Sequence, residues 1–292
     1  MDLKINIVER FQEWLQEEGK ATKTIESYIT DVKLFQQYLV DKDADPDVLL
    51  TRFYFTSYLK QLEKECLAIA TINKKINSLK VYNDWLIQEK IVTDSVIRLK
   101  RDRLKIANGS EAEVSVLTPE QVDALLFHVE KESNRNKLIC YLLLFTGVRV
   151  SELVNLKLTD VDRLTAQLSV RGKGGKFRDI PLRKDVLEVL EQYVSGERAA
   201  NKFADSPFLL LSQRAGNMHR DGVRRFLEQT GQQLGFHIHP HMMRHTFCTR
   251  LLKAGVELST VSRLAGHANF NMTVKYYINT SKEEKQNAVD LL

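Results

Sequence analysis

The segment QLSVRGKGGKFRDIPL, Gln167 to Leu182, reads as strand, glycine turn, strand, because Gly172, Gly174 and Gly175 supply the positive backbone dihedrals that a hairpin needs. Its surroundings are helical in pattern, so this hairpin separates a purely helical chain from one with an α+β part. On its N-terminal side, NKLICYLLLFTGVRVSELVNLKLTDVD, Asn136 to Asp162, begins as an almost wholly apolar helix, meets Thr146-Gly147, and resumes as a second helix near Arg149. Further back, LTPEQVDALLFHV opens a helix with Thr118 as N-cap, Pro119 at the first helical position and Gln121 placed for a capping box. On the C-terminal side, residues 184–292 keep a helical pattern with breaks at Ser206-Pro207, Gly235, Gly255 and Gly266.

Residues 1–92 differ in texture. Ile7, Val8, Phe11, Trp14 and Leu15, then Ile25, Tyr28, Ile29, Val32, Phe35 and Leu39, recur at helical spacing, and two more such sets lie within 53–62 and 72–87. The pattern predicts four helices with short connections. The segment RLKRDRLKIANGSEAEVS, Arg98 to Ser115, loses the period and packs five basic residues into its first eight positions. It reads as a basic interdomain linker. The sequence therefore divides into a four-helix domain over 1–97, a linker over 98–115, and a mainly helical α+β domain with a small hairpin or sheet over 116–292.

Composition narrows the function. The chain has 292 residues, 43% of them hydrophobic, enough for a full core in each of two domains. Its net charge of +5 suits a polyanionic partner without requiring one. Cys66, Cys140 and Cys248 are an odd number at wide spacing, which excludes a disulfide framework and fits a reducing cytoplasm. The N-terminus is an amphipathic helix with acids inside its apolar pattern, not a signal peptide, and no run of 18 apolar residues exists to span a membrane.

The stretch HPHMMRHTFCTR, His239 to Arg250, admits three readings. As a metal site it offers alternating His237, His239 and His241 and an i, i+4 pair in His241 and His245, but no acid lies between His237 and Arg250, and an arginine among the ligands repels a dication. As a packed helix it has Met242, Met243, Phe247, Leu251 and Leu252 for its buried stripe. As an anion cradle it projects His241 and Arg244 from one face near a helix start, where free N–H groups and the macrodipole favour negative charge. The third reading gains weight if other cations converge, and candidates sit at element boundaries: Arg149 after the Thr-Gly break, Lys173 in the hairpin, His267 after Leu-Ala-Gly.

Together with Tyr276, these residues carry a resemblance. The blocks TGVRVSELVNLKLTDVD, GKGGKFRDIPL, HPHMMRHTFCTRLLKAG and LAGHANFNMTVKYY are similar, in order and spacing, to the boxes of the tyrosine recombinases, the lambda-integrase or Xer-like family, over Leu117 to about Ser281. The helical domain before them resembles the SAM-like core-binding domain of that family only in size and position. The resemblance implies that Arg149 is the first catalytic arginine and Glu152 the acid that positions it, that Lys173 is the hairpin lysine, that His241 and Arg244 form the His-x-x-Arg pair, that His267 holds the place of a His or Trp, and that Tyr276 is the nucleophile. The doublet Tyr276-Tyr277 is resolved by the nine-residue spacing from His267; the adjacent phenol points about 100° away around a helix, so Tyr277 is assigned to packing.

These residue types suit the implied chemistry, the attack of a phenol on a DNA phosphodiester. A phenol with pKa near 10 must lose its proton as it attacks phosphorus. Paired N–H donors of Arg149 and Arg244 match nonbridging oxygens whose charge grows in the transition state. Lys173 can protonate the leaving 5′-oxygen, His241 can take the tyrosine proton, and His267 can donate to a nonbridging oxygen. A 3′-phosphotyrosyl ester keeps the bond energy for rejoining, so neither metal nor ATP is expected.

The resemblance further implies double-stranded DNA with paired binding sites as partner, a Holliday junction intermediate, and a tetramer assembled through the C-terminal segment KEEKQNAVDLL, with related recombinases or accessory proteins as further partners. Lys74, Lys75 and Lys80, along a largely polar side of one helix, and Arg101 and Arg103 in the linker are candidate phosphate contacts. Each has a solvated surface as its alternative. Expected roles are dimer or transposon cointegrate resolution; integration of a mobile element, a non-catalytic DNA-binding protein on the same fold, and a metal-dependent nuclease are the competing readings.

Overall fold

The computed structural model describes residues 3–45, 47–105, 115–172 and 175–266. It divides into two compact units, Met1–Glu111 and Ala112–Leu292. Lys173, His267, Tyr276, Tyr277 and the C-terminal segment lie outside the described residues.

The first unit is built on α1 (Leu3–Glu17), α2 (Thr22–Asp41), α3 (Arg52–Lys64) and α4 (Ile69–Gln88). Its core takes the apolar stripes of all four, with Phe11, Leu15, Val32, Phe35, Leu39, Phe55, Ile76 and Leu79 fully buried. Phe11 meets Tyr82 edge-on at 5.1 Å and lies 5.2 Å from Trp85, which fastens α1 to α4. One expectation fails here. Lys75 is not on the polar side of α4; it is 9% exposed, and its Nζ lies 3.1 Å from Oδ1 of buried Asp31 on α2, whose Oδ2 accepts from the Ser78 hydroxyl at 2.7 Å. A buried charge demands such a partner.

The basic segment after α4 is also folded. A single helical turn, α5 (Leu99–Asp102), follows buried Ile97, and Asp102, 7% exposed, takes Arg52 in a bidentate pair at 2.6 Å on both oxygens. The Asn73 side chain holds the Leu104 backbone in both directions, donating to its carbonyl at 3.0 Å and accepting its N–H at 2.9 Å. Arg103 donates to Asn77 at 2.6 Å. Residues 97–104 thus pack on the helical unit where a linker was expected.

The second unit surrounds α7 (Asn134–Thr146), which packs against α6 (Pro119–Val129), α8 (Val150–Leu153), α9 (Lys184–Tyr193) and α11 (Pro240–Lys253). Leu138 to Leu144 of α7 are all buried, as a helix apolar all round requires. The expected capping box forms at Thr118 and Gln121. A three-stranded antiparallel sheet runs in the order β1 (Val161–Asp162), β2 (Gln167–Arg171), β3 (Phe177–Pro181), with Leu168 opposite Ile180 and Val170 opposite Arg178. The hairpin was legible; β1, two residues long, has no period to read. Of the turn glycines, Gly175 takes φ +75°, while Gly172 stays outside the left-handed region.

After α9 and a π turn (Val194–Arg198) the expected helical pattern breaks down: residues 199–219 are irregular. They wrap around the buried Arg198 guanidinium, which donates to the carbonyls of Ala204, Ser206, Phe208 and Leu209 at 2.6–3.3 Å. Next come α10 (Arg220–Leu234), α11 and α12 (Leu258–Ala265); α10 and α12 end on left-handed Gly235 and Gly266. Among the described residues no helix is long and apolar enough to cross a membrane.

Gly147, the left-handed cap of α7, has φ +62°, and a Cβ there would sit 2.3 Å from Cδ1 of Phe247. Gly147→Ala therefore combines a backbone penalty with overpacking, together about 2–4 kcal/mol. An unchanged urea midpoint in this variant would show that α7 and α11 are not in rigid contact at this turn.

Candidate active site

The turn after α7 delivers Arg149 by a short chain of causes. Gly147 reverses the backbone, Arg149 becomes the extended N-cap of α8, and Glu152, three residues on, accepts the Arg149 backbone N–H at 2.8 Å on Oε2. The Arg149 side chain folds back to the same carboxylate, Nη1 to Oε1 at 2.8 Å, while Nη2 donates to the Gly266 carbonyl at 2.7 Å. Gly266 ends α12, directly before His267.

Arg244 enters from α11. It is 3% exposed; Nη1 donates to the Gly147 carbonyl at 2.6 Å, and Nη2 has no acceptor among the described residues. Burial, then the proximity of Arg149, lowers its pKa to about 10, which leaves a cation at neutral pH. A buried guanidinium with a donor unused among the described residues suits an anion.

His241 stands one turn before Arg244, exposed at the start of α11. Partial loss of hydration, then His239, Arg244, Arg224 and Arg149, holds its pKa below the ordinary value. The neutral imidazole, a proton acceptor, is therefore the dominant form at neutral pH. His239 is the helix N-cap, its Nδ1 accepting the Met242 N–H at 3.2 Å ahead of Pro240 at the first helical position. Burial pushes His245 down to about 4. Among the described residues no group of three His, Cys, Asp or Glu side chains is placed to hold a metal ion.

One member of the cluster escaped the sequence reading. Arg178, on β3, grips Glu152 with Nη1 to Oε1 at 3.1 Å and Nη2 to Oε2 at 2.8 Å, and its Nε donates to the Leu264 carbonyl at 2.8 Å. A signal was present: Arg178 lies two residues before Ile180, so it shares that residue's inward face. Burial alone would raise the Glu152 carboxyl; hydrogen bonds from Arg178 and from the Arg149 backbone and side chain hold it below the usual range.

The structure thus brings Arg149, Arg178, Glu152, Arg244 and His241 together, three guanidiniums against one carboxylate. The proposed DNA contacts lie on the first unit: Lys74 is exposed and 3.5 Å from Asp31, Lys80 is ion-paired with Asp84, Arg101 and Arg103 are exposed, and Lys75 is buried. Clustered guanidiniums on rigid element ends, one of them with a donor unengaged among the described residues, make a site fitted to a phosphate or similar oxyanion.

Comparisons with known proteins give the class a family. The model of the phage integrase family matches residues 115–284, and that of the phage integrase N-terminal SAM-like domain matches residues 8–90. The TnP I resolvase of Bacillus thuringiensis is 30% identical over 99% of this chain and 100% of its own. The tyrosine recombinase XerC of Bacillus subtilis (strain 168) is 32% identical, covering 97% of this chain and 94% of its own. In structure, a lambda integrase dimer bound to a COC′ core site superposes with a TM-score of 0.73 at 20% identity, over 93% of this chain and 94% of that one. The chain belongs to the phage integrase family of tyrosine recombinases. It is a site-specific DNA recombinase, a DNA strand transferase.

Proposed function

We propose that this recombinase resolves joined DNA molecules, either chromosome or plasmid dimers or transposon cointegrates. Tyr276 attacks the scissile phosphate, a 3′-phosphotyrosyl ester holds the broken strand, and a Holliday junction links the two rounds of exchange. The observation that carries the reading is end-to-end similarity to a resolvase, 99% of this chain against 100% of the relative. Arg149 and Arg244 take the nonbridging oxygens, neutral His241 accepts the phenol proton, His267 donates to a nonbridging oxygen, and Lys173 protonates the leaving 5′-oxygen. Lys74, Lys80, Arg101 and Arg103 contact the phosphate backbone, and four copies join through their C-terminal segments on paired sites, with accessory proteins or a related recombinase as optional partners. The work is done in the cytoplasm, on the nucleoid.

The test begins by selecting bound sites from random duplex DNA. Two copies are then placed as direct repeats on a supercoiled plasmid, which the protein should divide into two circles without metal or ATP. Covalent adducts without circles would overturn the resolution reading; no adducts would overturn the chemistry.

Lys173 has its own expected result. Lys173→Ala cleaves an ordinary phosphodiester slowly but recovers on a 5′-bridging phosphorothiolate, whose thiolate departs without a proton. Arg149→Ala shows no such recovery, because its contribution is to charge on the nonbridging oxygens. Equal recovery of both, or of neither, would remove Lys173 from the role of general acid.

A further inference from the structure

We infer that Arg178 is a positioning residue for strand cleavage: from β3 it fixes Arg149 through Glu152 and ties the end of α12 to the same carboxylate. The inference rests on the reading of Arg149 as a phosphate-binding cation. All three nitrogens of the Arg178 guanidinium are engaged, two with Glu152 and one with the Leu264 carbonyl, and its side chain is 12% exposed, so it is not a substrate contact. Arg149 is the opposite case, 32% exposed and meeting Glu152 with Nη1 alone on the side-chain level.

The division of the carboxylate explains how Arg178 acts. Glu152 receives four N–H donors, two from Arg178 and two from Arg149, the latter being one backbone and one side-chain bond. With Arg178 gone, a carboxylate 8% exposed is left with Arg149 as its nearest cation, and it turns to take that guanidinium with both oxygens. The fork meant for phosphate is then rotated and neutralised. A second contact makes the same link mechanical. Gly266 has φ +67° and lies so close to Arg178 that a Cβ would fall 2.8 Å from Nη1, while its carbonyl accepts from Arg149. Both guanidiniums therefore grip the turn that leads to His267.

The experiment is a double-mutant cycle on the full chain, read as single-turnover covalent adduct formation on a nicked duplex carrying the selected site. Arg178→Met should lower the rate on the order of a hundredfold, as a displaced cation does, with site affinity changed less than about threefold. In an Arg149→Ala background the same substitution should cost less than about threefold, because the residue it positions is already gone. Arg178→Lys keeps a charge beside buried Glu152 and guards the fold should Arg178→Met melt; it should show the same background dependence. Equal losses in both backgrounds, or a parental rate in Arg178→Lys, would overturn the inference. If Arg149→Ala itself cleaves at the parental rate, the reading of the site fails instead, and the two failures are told apart.

Discussion

Tyr276→Phe is expected to bind its DNA site with nearly parental affinity and to form no covalent protein–DNA adduct at all. The substitution removes one oxygen, the atom proposed to become the ester, and changes no cation of the site. The loss is expected to be complete: the adjacent phenol of Tyr277 would lie about 100° away around a helix, and Cys248, beside Arg244, is buried with its pKa pushed up to about 11. A denaturing gel of a nicked suicide substrate reads the result directly. An adduct that persists in Tyr276→Phe and disappears in Tyr277→Phe would reassign the nucleophile.

Arg244→Lys is expected to carry the next largest effect, although the charge is conserved. The guanidinium bonds the Gly147 carbonyl through Nη1, while its buried Nη2 has no acceptor among the described residues and is the donor proposed to meet a nonbridging oxygen. An ammonium is a point charge on a flexible stem and cannot reproduce a planar fork across both partners. Losing one transition-state donor costs about 3–4 kcal/mol, a few hundredfold to a thousandfold in rate. Single-turnover cleavage measured beside a melting curve separates this from unfolding. A loss below about fivefold would place Arg244 outside the reacting site.

Much of the fold was legible because its signals are local. Apolar period gave α1 to α4, Thr118 and Pro119 gave the start of α6, and the glycines at 147, 235 and 266 became left-handed helix ends. What failed depended on partners distant in sequence. Lys75 sits between Ile72 and Ile76 and shares their apolar face, but only the fold supplies Asp31, 44 residues away, to receive it. Arg198 organises residues 199–219 through backbone carbonyls, which have no sequence signature. At the site, Arg149, Glu152 and Arg244 converge as the resemblance implied, whereas Arg178 was hidden because its acid is 26 residues back on another element. His239 looked like a member of a histidine cluster; Pro240 was the overlooked sign that it caps a helix.

The inequality between Arg149 and Arg244 gives the site a handedness. A phosphodiester within a DNA strand presents two nonbridging oxygens, pro-R and pro-S, equal in charge and different only in direction. Arg149 has both terminal nitrogens already donating, to a carboxylate and to a carbonyl, while Arg244 is buried with Nη2 unengaged among the described residues. If each cation takes one oxygen, as proposed, the two oxygens meet guanidiniums that differ in burial and in the bonds they already make. Sulfur placed at pro-R is then expected not to be interchangeable with sulfur placed at pro-S, so that cleavage rates on the two diastereomeric phosphorothioates should differ.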